Sequence, residues 1–122
     1  MNLYKEHILE LYKEPHNFGS LASETHTKHK NNPICGDEIT VHIIVSKERI
    51  SDIRFDGRGC AISIASASMV TDAVKGKTIE QVRAMNQQDI LDLLNIPVGS
   101  ARMKCALLCL EAIKDALGEN HA

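Results

Sequence analysis

Two apolar runs with a two-residue beat, joined by a very short connection, narrow the fold more than anything else in this chain. Ile39, Val41, Ile43 and Val45 alternate with Thr40, His42 and Ser46, and only Ile44 breaks the pattern on the other face. That period buries one side of a strand and turns the other toward water. Ser46-Lys47-Glu48 follows as a turn, and a second strand runs through Ile50, Ile53 and Phe55. A connection this short cannot carry a parallel crossover, so the two strands form an antiparallel hairpin. Upstream, Thr25-His26-Thr27-Lys28-His29 has β-branched residues at alternate positions, the pattern of an edge strand. Asn31-Asn32-Pro33 then breaks the chain.

The flanks are helical. Tyr4, Ile8, Leu11 and Tyr12 make one helical face near the N-terminus, stopped by Glu14-Pro15 and Asn17-Phe18-Gly19-Ser20. After the hairpin, Ala65, Met69, Val70, Ala73 and Val74 share a face, with Gly76 as a C-cap. Thr78-Ile79-Glu80-Gln81 matches a capping box. A further helix covers Asn86 to Leu94 and stops before Pro97. Ser100 is positioned to cap a last helix running to about Leu117, with Gly118 beyond it. Strands come together and helices follow, with too few alternations for a parallel βαβ sheet. The expected class is α+β: a small antiparallel sheet of about three strands packed against several helices, in a single domain over residues 1–122.

Composition then removes whole classes of function. The 122 residues carry 14 Lys and Arg against 16 Asp and Glu, a net charge of -2. So even a balance argues against a nucleic-acid clamp or a polybasic membrane patch. With no Trp, two Tyr and two Phe, base stacking and aromatic cages are not expected. No apolar run approaches the roughly 18 residues of a membrane span. The first residues, Met1-Asn2-Leu3-Tyr4-Lys5-Glu6-His7, lack a basic region followed by an apolar one. The expectation is a soluble, cytoplasmic protein.

In a reducing compartment the four cysteines, Cys35, Cys60, Cys105 and Cys109, point to metal binding, catalysis or simple burial before disulfides. Cys35 sits in Asn32-Pro33-Ile34-Cys35-Gly36-Asp37, where Pro33 stiffens a loop and Gly36 allows a sharp turn. Cys35 and Asp37 are two residues apart, so in an extended stretch their side chains can point the same way. Cys60 follows Gly57-Arg58-Gly59, whose glycines allow backbone N–H groups to face an anion or thiolate. Cys105 belongs to the first turns of the last helix. Three thiolates and a carboxylate could complete a tetrahedral shell around Zn²⁺ or hold a small iron–sulfur cluster. Arg58 and Lys104, each beside a candidate ligand, could favour the thiolate form. The plain alternative is three separate structural cysteines.

Five ordered blocks carry a resemblance. They are Asn32-Pro33-Ile34-Cys35-Gly36-Asp37, Gly57-Arg58-Gly59-Cys60-Ala61-Ile62-Ser63, Ala65-Ser66-Ala67-Ser68-Met69, Gly76-Lys77-Thr78 and Lys104-Cys105-Ala106-Leu107-Leu108. Together with Leu11-Tyr12-Lys13-Glu14-Pro15-His16-Asn17-Phe18-Gly19, they resemble the IscU/SufU/NifU-N family of iron–sulfur assembly scaffolds over nearly the whole chain. The resemblance implies that Cys35, Asp37, Cys60 and Cys105 are the ligand set. It implies a scaffold that accepts sulfur from a cysteine desulfurase, builds a [2Fe-2S] cluster and passes it to apo iron–sulfur acceptor proteins. The persulfide acceptor would be Cys105 as in the IscU branch or Cys35 as in the SufU branch.

The chain departs from both branches. IscU-type proteins carry a His where this chain has Lys104, which leaves Asp37 as the fourth group. Ile96-Pro97-Val98-Gly99-Ser100 keeps only part of the Leu-Pro-Pro-Val-Lys stretch that a chaperone recognises, which counts against a dedicated chaperone. The Lys104-Cys105 pair and the Ala-Ser-Ala-Ser-Met run are more like SufU, yet the insertion usual in SufU before the third cysteine is missing. The alternative function is therefore a SufU-like zinc-dependent sulfurtransferase on the same four residues. Another is a structural zinc domain that binds a partner; Asp37 counts against it, because closed zinc sites favour Cys and His. Zinc can also occupy a scaffold as isolated, since affinity does not decide the physiological metal.

Other features have plainer readings. Cys109, one turn after Cys105, falls near Ile113 and Ala116 and is expected in the core, with a reserve thiol as the lesser alternative. Most of the histidines are expected on the surface, His42 on the polar face of its strand, with His26 and His29 on opposite faces and His29 a few residues before the Cys35 loop. Gly76-Lys77-Thr78 lacks the upstream glycine of a phosphate loop and is better explained as a C-cap followed by an N-cap. Ser63, Ser66 and Ser68 lack the elbow and partners of a serine nucleophile.

Overall fold

The structure is a computed structural model that describes residues 3–34 and 36–118, with the backbone alone at 3 and 4. Strands β1 (His26–Asn32), β2 (Asp37–Ser46) and β3 (Arg49–Arg58) form an antiparallel sheet in the order β1-β2-β3. Helix α1 (Leu3–Lys13) precedes the sheet; α2 (Ala61–Val74), α3 (Ile79–Arg83), α4 (Gln87–Leu94) and α5 (Ser100–Gly118) follow it. This is the α+β class expected from the hairpin and its helical flanks. The edge strand runs on to Asn32, past its β-branched stretch, because its backbone pairs with β2 from His26↔Ile43 to Asn32↔Asp37.

The step of three from Ile50 to Ile53 breaks the strand period, and the register explains why. Ile44 pairs with Asp52 while Val45 pairs with Ile50, so Ser51 is the extra residue of a β-bulge. The bulge returns both isoleucines to the buried side, where they join Ile39, Val41, Ile43 and Phe55. Helix α5 lies against β1 and β2, α2 packs on α5 and β3, and α1 packs on α2. Ile64, Val70, Leu110 and Ile113 complete one core. Among the described residues no helix is long and apolar enough to cross a membrane.

The N-terminal stripe is narrower than its spacing suggests. Ile8 and Leu11 are buried, but Tyr12 is 47% exposed. It lines a groove shared with Phe18, Arg58 and Ile64. The side chain of Tyr4 lies outside the described residues. The segment after α1 covers the free edge of β3: Gly19 N–H donates to the Phe55 carbonyl at 2.8 Å, and Phe55 N–H donates to Asn17 at 2.9 Å. Phe18 meets Phe55 edge-on, with ring centroids 5.4 Å apart. The segment thus occupies the edge of β3 at Phe55, where another chain would otherwise pair.

The capping box on α3 forms as expected: Thr78 accepts from Gln81 N–H while Gln81 accepts from Thr78 N–H. Asn86 and Asp89 build a second one on α4. Ser100, expected as the cap of α5, is instead its first residue.

His42 lies on the polar face of its strand, as its alternation predicts, but is less solvated than the expectation for most of the histidines. It projects from the outer side of β2 and is held on both ring nitrogens, Nδ1 by Glu24 and Nε2 by Asp56 at 2.6 Å. Its side chain is only 12% exposed. Burial alone would lower its pKa, but the bonds to Asp56 and Glu24 and their charges prevail and raise it above 6.5. The imidazolium therefore stabilises the fold fully below its unfolded pKa of 6.5, and that stabilisation is lost as pH rises through the folded value. His42→Gln is expected to flatten the fall of melting temperature with pH above about 6.5, checked by thermal melts from pH 6 to 9. An unchanged slope would show that the pair of carboxylates does not hold the proton.

Candidate metal centre

Three separate elements bring one side chain each to the same place. Asp37 opens β2, Cys60 stands immediately before α2, and Cys105 lies in the second turn of α5. An oxygen of Asp37 and the sulfurs of Cys60 and Cys105 all lie within 4.8 Å of one another. Asp37 is 3% exposed and Cys105 is 1% exposed, while Cys60 is half-buried. Cys35 lies outside the described residues.

The backbone explains the convergence. Gly36 N–H donates to the Asn32 carbonyl at 2.8 Å, closing the hairpin loop and setting Asp37 as the register partner of Asn32. Asp37 Oδ1 accepts the Cys60 N–H at 3.1 Å, and its Oδ2 is 3.7 Å from the Cys60 sulfur. A carboxylate is favourable there, because the first N–H groups of a helix carry partial positive charge. Cys60 has the extended conformation of an N-cap, φ -71 and ψ 169, yet its side chain makes no capping bond. Its sulfur is left to face Asp37. Ser66 Oγ donates to the Ala106 carbonyl at 2.6 Å, which fixes α2 to α5 beside Cys105.

The two glycines before Cys60 act through close approach, where the sequence suggested an anion nest. A Cβ on Gly57 would stand 2.1 Å from the Glu38 carbonyl oxygen of β2. A Cβ on Gly59 would stand 2.9 Å from the Asp37 carboxyl carbon. The expected help from cations also takes another form. Arg58, 84% exposed, donates to Glu38 at 2.8 Å, and Lys104 is exposed at a groove with Pro33, Ile34 and Glu111.

The remaining candidates fall elsewhere. Cys109 is buried within the apolar core, and burial pushes its thiol up to about 12. It packs in the core and is not among the side chains that converge with Asp37. His29 lies on the outer side of the sheet, opposite Asp37, hydrogen-bonded to Thr40 at 2.8 Å. His26 occupies the other face of β1 from His29, as its spacing requires.

Two soft sulfurs and one hard oxygen suit zinc or iron. Tetrahedral metal–sulfur bonds of about 2.3 Å separate the donors by roughly 3.5–4 Å, so small side-chain movements would suffice. A mixed S/O set, with Asp37 and Cys105 buried and Cys60 half-buried, that converges from distant parts of the sequence is an arrangement able to hold a metal ion in an α+β protein.

The chain belongs to the NifU-like N-terminal domain family, whose model matches residues 3–122. It is similar to the zinc-dependent sulfurtransferase SufU of Bacillus subtilis, 35% identical over 136 aligned positions that cover 98% of this chain and 92% of that protein. It is 34% identical to the iron–sulfur cluster assembly scaffold protein IscU of Escherichia coli, over 95% of this chain and 92% of that one. Among solved structures, a candidate iron–sulfur cluster assembly scaffold protein for the SUF system from Fervidobacterium islandicum has a TM-score of 0.81, with 25% identity over 92% of this chain and 94% of that one. These relatives agree with the resemblance carried by the five sequence blocks.

Proposed function

We propose that this chain is a scaffold for iron–sulfur cluster assembly, a carrier acting in the cytoplasm between a cysteine desulfurase and apo acceptor proteins. The observation that carries this reading is the convergence of Asp37, Cys60 and Cys105 within 4.8 Å. Cys35, two residues before Asp37, is the proposed fourth ligand. The cargo is a [2Fe-2S] cluster held by these four residues.

Sulfur arrives as the persulfide of the desulfurase. A thiolate of this chain attacks the outer sulfur, a new S–S bond forms, and the donor cysteine leaves as thiolate. Such an attack needs exposure. Cys105 is 1% exposed, which counts against it as the first acceptor unless α5 moves, and leaves Cys35 as the proposed acceptor.

The second reading is a zinc-dependent sulfurtransferase on the same residues, favoured by the Bacillus subtilis relative and by Lys104 in place of histidine. Anaerobic reconstitution with iron, cysteine and a desulfurase separates the two. The scaffold gives visible cluster absorbance that moves to an apo acceptor. Tight zinc, no cluster and stimulation of the desulfurase overturn it in favour of the transferase.

Asp37→Ala is expected to slow cluster release to an acceptor, since it removes the labile oxygen ligand through which the acceptor's ligand would enter. It also removes the acceptor for the Cys60 N–H, at a stability cost of about 1 kcal/mol. Unchanged transfer kinetics would remove Asp37 from the ligand set.

A further inference from the structure

Among the described residues, two buried side-chain atoms have no hydrogen-bond partner: Nδ2 of Asn32 and Oγ of Ser63. Buried polar groups are nearly always satisfied. The other buried polar side chains obey the rule: Ser66, Ser68 and Thr71 donate to the carbonyls of Ala106, Ile64 and Ala67, and Asp37 accepts from Cys60. Both exceptions adjoin the candidate centre.

Asn32 is the register partner of Asp37, so the two are direct neighbours across β1 and β2. Its Oδ1 accepts the Ile34 N–H at 3.2 Å, which leaves the amide N–H₂ as the unused end. Ser63 lies three residues after Cys60, one turn along α2. In a capping box the residue at this position reaches back to the N–H of the capping residue. Here Asp37 already accepts that N–H, so the Ser63 hydroxyl has no backbone task.

We infer that the Asn32 amide and the Ser63 hydroxyl are positioning donors for sulfur: they hydrogen-bond the ligand thiolates, or the sulfide of the cargo, in the loaded protein. Metal-bound sulfur keeps lone pairs and negative charge, and N–H and O–H donors around it tune its hold on the metal. A buried donor with no partner is tolerated when loading supplies one. The inference rests on Asp37, Cys60 and Cys105 binding an ion; neither Asn32 nor Ser63 is itself a ligand.

The test uses the full chain with Ser63→Ala and Asn32→Leu, loaded with Zn²⁺ alone or Co²⁺ alone. Each variant is expected to release zinc to a chromophoric chelator roughly tenfold faster than the parent. The sulfur-to-cobalt charge-transfer band is expected to move to longer wavelength, because a sulfur that loses a hydrogen bond gives up its electrons more easily. Metal-free Ser63→Ala is expected to melt at or above the parent temperature. Zinc release and cobalt spectra like the parent's in both variants would overturn the inference. So would a metal-free Ser63→Ala melting well below the parent, which would make the hydroxyl structural. A parent chain that takes up neither ion would overturn the ion-binding reading itself, and this inference with it.

Discussion

Cys60→Ser is expected to stabilise the metal-free protein while weakening its hold on zinc by roughly a hundredfold. The two effects come from one position with two roles. Cys60 has N-cap geometry without a capping bond, and serine is among the best residues at that position. The gain should be about 0.5–1 kcal/mol, or a melting temperature higher by roughly 2–5 °C. The loss follows from ligand chemistry, because a soft thiolate binds zinc far better than a serine hydroxyl does. Four-ligand zinc sites are worth about 10–16 kcal/mol, so one ligand's share is about 2.5–4 kcal/mol, roughly two to three orders of magnitude in affinity. Thermal melts without metal and a competitive chelator titration measure the two quantities. If both fell together, the sulfur would be packing and not a ligand.

Gly57→Ala is expected to lower stability by about 3 kcal/mol or more, shifting the midpoint by roughly 10 °C or more. Gly57 has φ 141, a conformation that side chains rarely adopt. The added Cβ would meet the Glu38 carbonyl oxygen at 2.1 Å, and that carbonyl belongs to the neighbouring strand. Neither partner is a flexible side-chain tip, so the β2–β3 ladder itself must part. Gly76→Ala separates the two causes: its φ is 83, but nothing lies within 4 Å of its Cβ position. It should cost only the conformational term, about 1 kcal/mol. Equal effects at both positions would show that the contact with Glu38 is readily relieved.

What the residues announced in advance was local. The alternation from Ile39 to Val45 specifies a strand whatever surrounds it, and the Thr78–Gln81 box closes within four residues. The rest depends on partners that no spacing names. Ser51 is legible as a bulge only once Val45 is seen opposite Ile50. His42 alternates like a surface residue, and only the folded chain brings Glu24 and Asp56 to its two nitrogens. The glycines before Cys60 had the composition of an anion nest. Their task became clear when Glu38 and Asp37 turned out to be the atoms crowding them. The cysteines suggested a shared centre through the loops and glycines around them. The expectation that Cys109 is a core residue, read from its place near Ile113 and Ala116, agrees with its burial in the apolar cluster.

The donors at positions 37, 60 and 105 belong to β2, the entrance of α2 and the second turn of α5, and they form a set only while those elements are docked. Whatever such a set captures is thermodynamically linked to the fold: a free ion at a hundred times its dissociation constant adds about 2.7 kcal/mol to stability. The melting midpoint thus becomes a gauge of occupancy. Conversely, anything that loosens the start of α5 would dismantle the grip without breaking a single covalent bond.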